Sequence, residues 1–148
     1  MLNTSMLEST ILRLIRTEDL NHHGTLFAGQ MAKWVLEAGV ITAARLIGRP
    51  EDIVCAQLNS MTFRKPVNNG DVVEIKSRIA YLGSSSIVVH SQILRNQEPS
   101  PVVSNMTTFV TVDKQNRPYA HGLSLPEEYI AQHRDIYDEA LRDRRARQ

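Results

Sequence analysis

The chain has 148 residues, 42% hydrophobic and 22% charged, with 17 basic against 16 acidic side chains and a formal net charge of +1. That length suits one domain with its own core, and that composition is ordinary for a soluble globular protein. A near-neutral chain has no global field to hold nucleic acid or an anionic membrane, and no apolar run reaches the roughly 18 residues of a spanning helix, so neither partner is expected.

Residues 1–9 lack the basic region and apolar run of a secretory signal, and the single Cys55 cannot close an intramolecular disulfide, so a cytoplasmic location is expected. Residues 10–16 are apolar-rich and read as a first strand. After the turn Asn21-His22-His23-Gly24-Thr25, residues 26–47 run without Pro and are rich in Ala, Leu and Met, which predicts one long helix. Gly48 can take a left-handed cap conformation and Pro50 cannot continue the helix, so its end is well marked. Gln30, Lys33, Glu37, Thr42 and Arg45 are its clear polar exceptions, and a helix so apolar must be covered on most sides.

The cover comes next. Residues 53–63, 71–82, 86–95 and 102–112 favour strand and are separated by turn-forming residues at 66–70, 83–85 and 96–101. In the second of these, Val73, Ile75, Ile79 and Tyr81 are expected on one face and Glu74, Lys76 and Arg78 on the other. Short connections join antiparallel neighbours, so the expectation is an α+β architecture, a meander-like sheet curling around the helix. Pro126-Glu127-Glu128 opens a final helical segment, giving a main domain over 1–125 and a helical extension over 126–148. The charged tail, ending Arg142-Asp143-Arg144-Arg145-Ala146-Arg147, reads as a solvated or frayed terminal helix.

The sequence lacks Cys-x-x-Cys, His-Glu-x-x-His, phosphate-loop and Gly-x-Ser-x-Gly motifs, and its five histidines show no metal-ligand spacing, so no metal is expected. The turn before the helix draws the eye instead. Helix starts carry unpaired N–H groups and the positive end of the dipole, suited to a developing oxyanion, and Gly24 and Gly29 would let a substrate approach. Asn21 is a candidate to orient the reacting group, or simply a turn residue. Glu37 is open to two readings, a base on an apolar rod or a surface partner of Lys33. His22 and His23 read first as exposed turn residues, and Phe27 and Trp34 as core.

The stretch Asn21-His22-His23-Gly24-Thr25-Leu26-Phe27-Ala28-Gly29-Gln30 resembles the entry to the central helix of hotdog-fold acyl-CoA thioesterases, the acyl-CoA hydrolase branch. Asn59-Ser60-Met61-Thr62-Phe63-Arg64-Lys65-Pro66-Val67 with Gly70-Asp71-Val72-Val73, Gly83-Ser84-Ser85-Ser86, and Thr108-Phe109-Val110-Thr111-Val112-Asp113 agree with the family in order. The resemblance implies a hotdog fold and a homodimer with helices side by side, often assembled into hexamers, with acyl-CoA entering along the subunit interface. It also implies that Asn21 orients the thioester or water, that amides near Ala28 and Gly29 form an oxyanion hole, and that a helix carboxylate is base or nucleophile. His23, Gly24, Arg64, Lys65, Gly83, Ser84 and Ser85 become substrate contacts, the basic pair and the Gly83 loop toward the nucleotide end of CoA. Coenzyme A then enters as part of the substrate, with no separate cofactor.

One position departs from that pattern. Relatives carry the carboxylate twelve positions after the glycine that matches Gly24, which here is Leu36, and Glu37 is one residue later. One residue turns a helical side chain by about 100°. The expected function is therefore acyl-CoA hydrolysis with Glu37 as base, beside two alternatives: a non-catalytic acyl-CoA sensor, and a hotdog dehydratase or hydratase.

Overall fold

A computed structural model describes residues 2–59 and 61–146. Its longest helix, α1 (Ala28–Ile47), lies across one face of an antiparallel sheet formed by β1 (Glu8–Leu14), β2 (Ile53–Leu58), β3 (Thr62–Phe63), β4 (Val72–Leu82), β5 (Ser86–Arg95) and β6 (Val103–Thr111). Two further helices, α2 (Glu127–Gln132) and α3 (Arg134–Ala146), complete the described chain. This is the expected α+β layering with a helix in the curl of a sheet.

The sheet order is β1-β4-β5-β6-β2, with β3 also paired to β6. The meander expected from short connections holds for β4, β5 and β6. The two earlier strands do not follow it: β2 docks on β6 and β1 on β4, so the sheet is closed at both ends by strands distant in sequence. The single strand expected over 53–63 is divided: β2 shifts register between Cys55 and Gln57, its ladder to β6 ends at Leu58, and pairing with β6 resumes at Thr62. Ser60 of the motif segment lies outside the described residues.

The helix begins at Ala28 rather than residue 26. Leu26 is held outside it by an antiparallel bridge to Leu20 and by donating its N–H to the Val67 carbonyl at 2.7 Å. Its end is the one expected: Gly48 takes φ 78° and donates its N–H to the Ala44 carbonyl. Met31, Trp34, Val35, Ala38, Ala43 and Leu46 bury one side of α1 against Val73, Ile75, Ile79, Val89, Ile93, Val103 and Phe109. Gly39 sets the approach, since a Cβ there would lie 3.1 Å from the Phe109 ring.

In β4 the expected alternation holds from Val73 to Ile79 and then fails. A bulge between Ile79 and Tyr81 adds one residue, so Tyr81 crosses to the outer face while Leu82 joins the helix side. Tyr81 meets Ala80, Val88 and Met106 there, under Ile136 and Ala140 of α3. The tail is thus not solvated throughout: α3 buries a narrow apolar stripe on the sheet, Tyr129 of α2 is buried, and Arg144 donates from Nη1 to the Tyr81 hydroxyl at 2.6 Å. Arg147 and the side chain of Arg145 lie outside the described residues. Pro126 precedes α2 as its cap residue, and the chain breaks at His133 before α3 starts.

Candidate functional site

The loop from Thr17 to Phe27 is a small closed turn. Asn21 donates its N–H to the Thr25 carbonyl at 2.7 Å, and Leu26 pairs with Leu20 across the base. The Asn21 side chain stitches the interior: Oδ1 accepts the N–H groups of His23 at 2.8 Å and Thr25 at 3.1 Å, and Nδ2 donates to Thr25 Oγ1 at 3.1 Å. An amide nitrogen carries two hydrogens, so one Nδ2 hydrogen stays uncommitted. Gly24 occupies the tip at φ 80° with open space around it, and His22 and His23 stack there exposed, their ring centroids 4.0 Å apart.

Past this loop α1 starts at Ala28. Phe27 donates to Asp19, while Gln30 and Met31 donate to the Phe27 carbonyl, so among the described residues the N–H groups of Ala28 and Gly29 have no acceptor. The Phe27 ring, 55% exposed, lies over Gly29 so closely that a Cβ there would sit 2.4 Å from Cε2.

A cleft of about 290 Å³ opens beside this helix start, lined by Asn21, Leu26, Ala28 and Met31 on one wall and Phe63, Arg64, Lys65 and Pro66 on the other. Residues of two separate sequence stretches, 21–31 and 63–66, meet here. The long stem of Lys65 is spanned back, its Nζ 3.4 Å from Glu98 Oε2 and from the Ser100 carbonyl. Arg64 forms no ion pair among the described residues and also lines a second, polar cavity beneath α3 with Asn59, Thr62, His90, Glu139 and Asp143. Burial is the chief reason the His90 imidazole is lowered to about 4, with Arg78 adding to the effect and Asp135 opposing it.

The other candidates stand elsewhere. Glu37 is nine residues beyond Ala28, about 14 Å along the axis and half a turn round the helix. Its carboxylate is exposed and faces Arg13 Nη2 at 3.9 Å rather than Lys33. The Arg13 guanidinium lies 4.8 Å above the Trp34 ring centroid. Leu36 is half-buried and packs against the edge of the core cluster that holds Leu46, Ile79 and Phe109. Gly83, Ser84 and Ser85 form the β4–β5 turn beside Thr111, whereas Arg64 is bonded to Val102, so the two groups sit at opposite ends of β6, about 30 Å apart. His23, Gly24 and Gly29 do not line the cleft, and the Phe27 ring covers Gly29 instead of leaving it open to substrate.

Asp19, a carboxylate only 6% exposed, lies at the base of the turn without any motif in the sequence to mark it. Among the described residues no group of three or more His, Cys, Asp or Glu is placed to hold a metal ion, and no helix is long and apolar enough to cross a membrane.

Comparison with known proteins converges on one family. The uncharacterized acyl-CoA thioester hydrolase YkhA of Bacillus subtilis is 29% identical over 113 residues, 74% of this chain and 64% of that protein. An uncharacterized acyl-CoA thioester hydrolase of Buchnera aphidicola is 31% identical over 80 residues, 54% of this chain and 58% of that protein, so the chain spans about three-fifths of these two curated relatives. Among solved structures, the acyl-CoA hydrolase of Staphylococcus aureus, determined with butyryl coenzyme A, coenzyme A and coenzyme A disulfide, superposes with a TM-score of 0.82 at 28% identity, covering 97% of this chain and 90% of that one. A hexameric thioesterase of Yersinia pestis superposes with a TM-score of 0.66 at 27% identity over 74% of this chain and 91% of its own. The model of the thioesterase superfamily matches residues 23–102, from His23 in the turn before α1 to the residue preceding β6, and the chain belongs to that superfamily.

Proposed function

We propose that the protein is an acyl-CoA thioesterase acting as a homo-oligomer, with coenzyme A entering as part of its substrate. The observation that carries this reading is the cleft in which Asn21, Ala28 at the start of α1 and the basic pair Arg64-Lys65 face one another. An oxyanion hole needs donors fixed in advance where charge will develop, and the unpaired N–H groups of Ala28 and Gly29 are such donors. Asn21 supplies its free Nδ2 hydrogen to the carbonyl or the attacking water. Water adds to the thioester carbon, the carbonyl oxygen becomes an oxyanion against the helix start, the C–S bond breaks, and the CoA thiolate leaves with the water-derived proton. Arg64 offers a cation for the phosphates of CoA.

Glu37 is proposed as the base. It cannot serve the cleft of its own subunit from half a turn away, so the reading assigns it to the site of a second copy laid along the exposed side of α1, where Lys33, Glu37 and Ile41 lie. The turn Gly83 to Ser85 is assigned in the same way, to a CoA held by another subunit. The unpaired, exposed Cys55 fits a reducing, cytoplasmic setting.

Leu36 favours a second reading. With a half-buried apolar side chain here and no carboxylate at the position the resemblance gives it, a protein that binds acyl-CoA without cleaving it would keep all other features of the cleft. Dehydratase chemistry has less support, because no histidine lines the cleft among the described residues. A thiol-release assay over acyl-CoA chain lengths separates the two leading readings: release of CoA thiol supports the hydrolase, and saturable binding without release supports the sensor.

A further inference from the structure

We propose that Asp19 is a positioning residue for thioester hydrolysis, locking the Asn21 turn to the first turn of α1; the inference rests on the thioesterase reading above. A carboxylate is costly to bury unless its oxygens find donors, and Asp19 is 6% exposed. Both oxygens are used. Oδ2 accepts the Arg16 N–H at 3.0 Å and Oδ1 accepts Gln30 Nε2 at 3.2 Å, while the Asp19 carbonyl accepts the Phe27 N–H at 3.0 Å. One residue thus holds the segment leading into the turn, the segment leading out, and the helix itself.

Other ties on the turn lead away from the helix. Leu26 bonds to Val67 and Thr25 bridges Asn68, which fix the turn against the segment before β4. Among the described residues the Asp19–Gln30 bond is the side-chain link from the base of the turn into α1. The two groups assigned to the reaction lie on either side of it: Asn21 is two residues after Asp19, and the Ala28 and Gly29 amides directly precede Gln30. Their mutual placement is what an oxyanion site depends on, and a shift of about 1 Å costs on the order of a hundredfold in rate. The hydrogen bond from Arg16 lowers the Asp19 carboxyl below its ordinary range against the opposing effect of burial, with Gln30 and the nearby Arg16 and Arg13 charges adding to it. The link is therefore ionised wherever the enzyme would be assayed.

The test compares full-length wild type with Asp19→Asn, Gln30→Met, Asn21→Asp and the Asp19→Asn/Asn21→Asp double variant by CoA-thiol release. We expect kcat to fall about tenfold in Asp19→Asn and about threefold in Gln30→Met, with KM inside about twofold, because ground-state binding is spared. The double variant should lose less than the product of the single losses, since both changes disrupt one arrangement. A purely structural role moves folded fraction and melting temperature but leaves kcat per folded subunit unchanged and the cycle additive, and that result overturns the proposal. Should Asp19→Asn fail to fold, Gln30→Met alone decides, and an unchanged kcat there is equally fatal. No thiol release by wild type removes the thioesterase reading itself, a failure distinct from an active wild type whose variants are indifferent.

Discussion

Glu37 on α1 faces Arg13 on β1 at 3.9 Å, a pair more than a third exposed on both sides. At that exposure the attraction is worth about 0–1 kcal/mol, so the fold does not depend on Glu37. Its substitution therefore reports on chemistry. Glu37→Ala is expected to lower kcat about tenfold, near 1.4 kcal/mol of barrier, with the melting temperature little changed. The companion variant Leu36→Asp restores a carboxylate at the position where the family carries it. If Glu37→Ala leaves turnover untouched while Leu36→Asp raises it, Glu37 is not the base.

Asn21 has two jobs that one substitution can separate. Its Oδ1 builds the turn by accepting from His23 and Thr25, while a free Nδ2 hydrogen is assigned to the substrate. Asn21→Asp keeps the acceptor and removes the donor. Thermal unfolding should shift by no more than the equivalent of about 1 kcal/mol, and kcat measured by thiol release should fall about tenfold.

His90 makes stability depend on pH. Its folded value is lowered to about 4 from an ordinary 6.5, so between those limits the unfolded chain takes up a proton that the folded chain refuses. The contribution of this group is complete above pH 6.5, declines as pH falls toward 4 and is constant below, a total of about 3 kcal/mol on the usual conversion. Burial, then Arg78, drive the effect, Asp135 opposes it, and Glu139 and Asp143 stand in the same cavity. Denaturant unfolding of wild type and His90→Leu at pH 7 and pH 4.5 checks it: the wild type should lose more stability than the variant between the two.

Gly48 offers a control remote from the cleft. It holds φ 78° with no heavy atom within 4 Å of where a Cβ would be, so Gly48→Ala meets backbone strain and nothing else. A loss of about 1 kcal/mol in unfolding free energy with unaltered kcat is expected.

Much of this architecture is legible in the amino-acid order where the cause is local. An apolar stretch free of Pro and closed by Gly48 and Pro50 can only be one long helix, and period-two alternation from Val73 to Ile79 fixes which side of β4 is buried. What escaped is non-local. The pairing of β1 with β4 and β2 with β6 depends on where the curled sheet brings its ends, and the bulge that turns Tyr81 over has no glycine or proline to announce it. The stripe Ile136–Ala140 is a four-residue spacing present in the sequence, but it is diluted by charge. At the site, Asn21, Ala28, Arg64 and Lys65 do line one cleft, because the turn and the β3 segment each carry a motif. Asp19 has no such mark, since its partners are two backbone groups and a glutamine eleven residues away.

In the proposed reaction the start of α1 receives the thioester oxygen. A crystal structure with a non-hydrolysable acyl-CoA analogue tests it directly. The carbonyl oxygen should lie about 3 Å from the N–H of Ala28 or Gly29, with the Asn21 amide alongside. An analogue bound with its carbonyl away from these amides, or with the Asn21 cleft empty, would contradict the account.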